Sequence, residues 1–93
     1  MFIGVCTVEL FLPSNRSLKD KRRIVKSLKD RMKQRFNISI AEIDDQDLWQ
    51  KTVLGIACVG NDKSHINQTL DRVMGTIRTT PWVEVVEYHL EMI

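Results

Sequence analysis

A chain of 93 residues, 43% hydrophobic and 28% charged, has the length of one domain and the mixture of an ordinary globular fold. It lacks an apolar run near the roughly 18 residues of a membrane span and a basic start leading into an apolar stretch, so the expectation is a cytoplasmic protein without membrane partners. The formal net charge of +2 conceals a separation: Arg16 to Arg35 holds 10 of the 14 Lys and Arg residues and two acids, a net of +8, while the remainder carries −6.

Phe2 to Leu12 is rich in β-branched and aromatic residues and is closed by the turn residues Pro13, Ser14 and Asn15, which predicts a first strand. Its even positions Phe2, Cys6, Val8, Leu10 and Leu12 are apolar, with Gly4 among them, whereas Thr7 and Glu9 fall on the other face.

The basic stretch that follows reads as a helix with two faces. Ser17 is an N-cap, its hydroxyl able to accept a bond from an orphan amide of the first turn, and Asp20 sits at the capping-box position. At about 100° per residue, Leu18, Ile24, Val25, Leu28 and Met32 form an apolar stripe. Lys19, Arg22, Arg23, Lys26, Lys29 and Lys33 fall within roughly a third of the circumference on the other side, where only Asp30 interrupts them. Like charges at that spacing repel, so local helix stability alone does not select the pattern. Lys21 and Arg35 lie within the apolar stripe and are read as stems that snorkel to water.

Phe36 to Ile43 is expected to form a second strand, with Ile38 and Ile40 alternating against Ser39 and Ala41. Glu42 continues the apolar side of that alternation, and its simplest reading is a strand end emerging into water. The Asp44, Asp45, Gln46 and Asp47 turn lacks the length, glycine and terminal glutamate of a calcium loop, so no metal is expected there. Lys51 to Gly60 is almost continuously apolar, as for a central strand covered on much of both faces.

Asn61 and Asp62 are competent caps for a second helix in which Ile66, Leu70, Val73 and Ile77 repeat, with Gly75 weakening it and Thr79, Thr80 and Pro81 ending it. Trp82 to Ile93 reads as a last strand, placing Val86, Tyr88, Leu90 and Met92 on one side and Glu87, His89 and Glu91 on the other. The order β-α-β-β-α-β predicts a single α+β domain over residues 1–93: a ferredoxin-like four-stranded antiparallel sheet with both helices on one face.

Cys6 and Cys58 lie in apolar runs without Cys-x-x-Cys spacing. In this topology residues whose numbers sum to about 62 to 64 face one another across the two central strands, which brings the cysteines close as buried, reduced thiols. His65 and His89 have no Ser or Cys partner in a nucleophile signature and read as surface histidines, so neither enzymatic activity nor a cofactor is expected. Base stacking on the sheet, as in RNA-recognition modules of this layout, is disfavoured, because the third strand has no aromatic and Phe2 and Phe11 sit at the ends of the first.

The segments Ser17-Leu18-Lys19-Asp20-Lys21-Arg22-Arg23, Phe36-Asn37-Ile38-Ser39-Ile40-Ala41-Glu42 and Asp47-Leu48-Trp49-Gln50 closely resemble a small bacterial family of uncharacterised proteins known as DUF503 or YlxP-like, over essentially the whole chain. The resemblance implies the ferredoxin-like fold and no established enzymatic activity. The frequent placement of family genes beside those for translation initiation and ribosome maturation implies RNA or the ribosome as a partner. The family carries over no agreed binding residues.

Two readings follow from the residues. One is docking of the basic helix on structured RNA, with ribosomal RNA as the expected class, through Lys19, Arg22, Arg23, Lys26, Lys29 and Lys33. The other is a structural or regulatory homodimer formed through a sheet face carrying Ile3, Val5 and Phe11.

Overall fold

Alternation of apolar and polar residues sets the strands, and the two capped amphipathic segments set the helices. The computed structural model describes every residue, Met1–Ile93. It contains β1 (Phe2–Phe11), α1 (Leu18–Arg35), β2 (Ser39–Asp44), β3 (Lys51–Gly60), α2 (Lys63–Arg78) and β4 (Glu84–Met92). The strands form one sheet in the order β2-β3-β1-β4, every neighbouring pair antiparallel. Cys6, Val8 and Leu10 of β1 share a single buried cluster with Leu54, Ile56 and Cys58 of β3, with Val25, Leu28 and Met32 of α1, and with Ile66, Leu70, Val73, Met74 and Ile77 of α2. Both helices therefore cover the same sheet face, and the fold is ferredoxin-like.

Two strand starts differ from expectation. α1 absorbs Arg35, and the Phe36 amide still donates to the Met32 carbonyl, so β2 begins at Ser39 rather than Phe36. Trp82 stands outside β4 in a turn, with φ 68°. Within β4, Glu87 pairs with Glu9 and Val85 with Leu10, a bulge that turns Val86 out to 57% exposure and gives its expected inward place to Val85. The continuous apolar run of β3 is buried on one face only; on the other, Val53, Gly55 and Ala57 are half-buried and Val59 is exposed.

The register places Cys6 opposite Ile56 and Cys58 opposite Gly4. The cysteines are thus diagonal neighbours on the helix side, both buried and both free. Cys6 Sγ lies 3.7 Å from Met74 Sδ, and burial pushes its thiol from 9.0 up to about 11.

Candidate nucleic-acid interface

Ser17 opens α1 as expected, its hydroxyl accepting from the Asp20 amide at 3.1 Å. The helix is rolled so that Lys21, Val25, Leu28 and Met32 are buried. That roll fixes what faces outward. Lys19, Arg22, Arg23, Lys26 and Lys33 are exposed and Lys29 is half-buried, so the six form one edge about 20 Å long at 1.5 Å rise per residue. Of these six, only Lys26 has an ionic partner, Asp30 at 2.9 Å. The hydrogen bond from Lys26, aided by Lys33 and Lys29, holds the Asp30 carboxyl below the ordinary carboxylate range. Arg31 is also exposed and extends the basic surface toward the turn between α2 and β4, where it and Arg23 line one hollow with Trp82. The wheel places Arg31 beyond the main edge, and Trp82 lies far away in sequence, so the expected set omits both.

Lys21 departs from its expected role. It does not snorkel: at 1% exposure its ammonium donates to Glu42 Oε2 at 2.8 Å and to the Asp45 carbonyl. Thr52, fully buried, donates its hydroxyl to the same Glu42 oxygen at 2.6 Å. Glu42 is correspondingly not a strand end in water but the acceptor that ties α1 to β2 and β3. Arg35, the other odd cation, is exposed and lies over the Phe36 ring at 5.8 Å.

The sheet face away from the helices has the opposite character. Glu9, Asp44, Asp45, Glu87 and His89 surround Lys51 there, and bonding to Glu9 followed by the charges of Asp45 and Asp44 raises the Lys51 pKa. Further along, Ile3, Val5, Ala57 and Val59 make the other half of that face apolar. The one ionic partner of His89 is Glu87, at 3.3 Å, and His65 is exposed on the first turn of α2, so the two histidines lie on different layers. No helix is long and apolar enough to cross a membrane.

Comparison with known proteins gives a consistent picture. Residues 3–90 match the family described as "Protein of unknown function (DUF503)". The uncharacterised protein YlxP of Bacillus subtilis (strain 168) is 38% identical over 82 residues, 88% of this chain and 89% of that protein. Among solved structures, the de novo designed protein Foldit4 matches with a TM-score of 0.57 at 14% identity, covering 100% of this chain and 97% of the design, a likeness of fold alone. A dimeric ferredoxin-like protein from an uncultured marine organism is also similar, with a TM-score of 0.47 at 10% identity over 99% of this chain and 92% of that one.

Proposed function

Because the chain belongs to the DUF503 family, whose members are described only as proteins of unknown function, we propose from its own geometry that it is a non-enzymatic protein whose helix α1 docks on the phosphates of structured RNA, with ribosomal RNA as the partner class. The observation that carries this reading is the outward edge of Lys19, Arg22, Arg23, Lys26, Lys29 and Lys33, five of them without a carboxylate partner. Such an array gains affinity by releasing counterions and is largely indifferent to sequence. The acidic half of the open sheet face supports the same orientation, because a polyanion is repelled there and drawn to the helix side. A binding role is favoured over catalysis because the two histidines have no shared cleft with a nucleophile.

The test is fluorescence polarisation with a ribosomal RNA fragment across a salt series. Neutralising five to six phosphates of a duplex gives a log–log salt slope of roughly −4.5 to −5.5. Reversal of Arg22, Lys26 and Lys29 to Glu should abolish binding. Absence of binding at low salt, or binding indifferent to that reversal, overturns the proposal.

A second reading rests on the apolar half of the open sheet face, where Ile3 and Val5 lie beside Ala57 and the 58% exposed Val59. A second copy could cover that patch while each protomer's basic helix stays free. Sedimentation over a concentration series reads it out, and a strict monomer at high concentration counts against it.

A further inference from the structure

Trp82 is held in a place that costs the chain something and leaves most of the side chain exposed. Its φ of 68° lies in the left-handed region, which a bulky side chain occupies only when its surroundings impose it, yet the residue is 65% exposed. The surroundings do impose it. Thr80 is buried and bonds back to the Thr76 carbonyl through its hydroxyl, at 2.9 Å, while Pro81 fixes its own φ and Val83 is buried in the core on the far side. Between these anchors the tryptophan is presented on the α2–β4 turn, lining a groove of about 200 Å³ against α1. From α1 the groove is lined by Arg23, Ser27 and Arg31, together with the half-buried Ile24 and the buried Leu28. Trp82, Arg23 and Ile24 also border a neighbouring hollow with Ser14 and Asn15 of the β1–α1 turn.

An exposed indole next to two arginines on a basic helix joins a stacking surface to phosphate-binding charge, the combination by which proteins capture unpaired nucleotides. The groove is smaller than the roughly 300–1,000 Å³ of pockets that enclose drug-sized molecules, and it is open, which suits one base rather than a free ligand. We infer that this groove binds an unpaired nucleotide of the RNA, its base stacked on Trp82 and its phosphates held by Arg23 and Arg31. The inference rests on the RNA-docking reading and sharpens it. The α1 edge supplies sequence-independent affinity for paired regions, and Trp82 makes the protein prefer RNA with a loop or bulge at the contact.

The experiment compares two RNAs of equal charge, one a continuous duplex and one a hairpin with an unpaired loop, by polarisation against wild-type, Trp82→Phe and Trp82→Gly proteins. Trp82→Gly should raise the thermal midpoint, since glycine adopts the positive φ without strain, and this reports that the fold is intact. The same variant should weaken hairpin binding by about 5- to 150-fold, leave duplex binding unchanged, and be rescued largely by Trp82→Phe. In a Trp49→Phe background the hairpin, not the duplex, should quench the Trp82 fluorescence. Hairpin affinity indifferent to Trp82→Gly overturns the stacking site and leaves the docking of α1 on phosphates standing. Failure of both RNAs to bind overturns the two together. Equal Trp82 quenching and competition by poly-glutamate of matched charge would make the groove a site for acidic protein segments and also overturns the nucleotide reading.

Discussion

Lys21 and Glu42 show how much a single residue's environment can reverse its reading. Each was individually marked in the sequence: Lys21 by its place in the apolar stripe, Glu42 by continuing the inward alternation of Ile38 and Ile40. That the two anomalies answer each other was not legible, because the pair forms across a helix–strand contact no local pattern encodes. Its energetics are asymmetric. Glu42 is 18% exposed and keeps Thr52 as a donor, so Lys21→Met leaves a carboxylate that water can reach. Glu42→Ala instead leaves an ammonium at 1% exposure with one backbone carbonyl. Urea denaturation should therefore show a loss of about 3–5 kcal/mol for Glu42→Ala and about 1–2 kcal/mol for Lys21→Met, and the reverse ranking would refute this account of the pair. Cys6 gives a pH test. Its folded pKa of about 11 lies above the ordinary 9.0, so the folded protein holds that proton more tightly than the unfolded chain. The associated stability is present in full below about pH 9 and lost as pH rises toward 11, up to about 3 kcal/mol. The drop in urea midpoint between pH 8 and 10.5 should be smaller in Cys6→Ala than in the wild type, and equal drops would dismiss the thiol as its source.

At the scale of elements, Gly4 beneath α2 and Gly75 within it have opposite roles. A methyl group on Gly4 of β1 would run into Ile66 and Leu70, both fully packed in the core, so this glycine is what lets α2 settle onto the sheet. A methyl on Gly75 meets nothing within 4 Å. Gly4→Ala should destabilise by about 1–3 kcal/mol through overpacking. Gly75→Ala should stabilise by about 0.5–1 kcal/mol through helix propensity, visible as a higher thermal midpoint. A lower midpoint for Gly75→Ala would mean that the helix is strained there for another reason. The limits of β3 and the Ser17 and Asp62 caps could be read from the sequence because turn residues and cap chemistry are local signals. The late starts of β2 and β4 could not. Phe36 and Trp82 have strand-like side chains, but one serves as a helix cap and the other is fixed in a turn by its buried neighbours. The bulge that exchanges Val86 for Val85 depends on the partner strand and leaves no mark in β4's own alternation.

Across the whole molecule, the +8 of Arg16 to Arg35 lies on α1, while Glu9, Asp44, Asp45 and Glu87 of the acidic remainder gather on the charged half of the open sheet face. The basic edge was legible because helical periodicity alone sorts its cations. The Trp82 groove was not, since it joins the middle of α1 to a turn some fifty residues later. This polarity makes a prediction about binding geometry. Glu87 and Glu91 are exposed on β4, with Glu87 opposite Glu9 and Glu91 opposite Val5, and so project from the same open face. Their charge should confine RNA to the helix side, because phosphates approaching the sheet meet like charge at short range, where screening is weak relative to the roughly 10 Å Debye length of 0.1 M salt. Replacing both by Lys changes that face by four charge units without touching the core, since neither residue is buried. The double variant should then hold RNA on two sides and cross-link it. Wild-type protein mixed with long duplex RNA at low salt should give discrete complexes, and Glu87→Lys/Glu91→Lys should give strong light scattering that dissolves as salt is raised. If the variant scatters no more than the wild type while binding as tightly through α1, the acidic face takes no part in directing the RNA, and the charge separation is a matter of solubility alone.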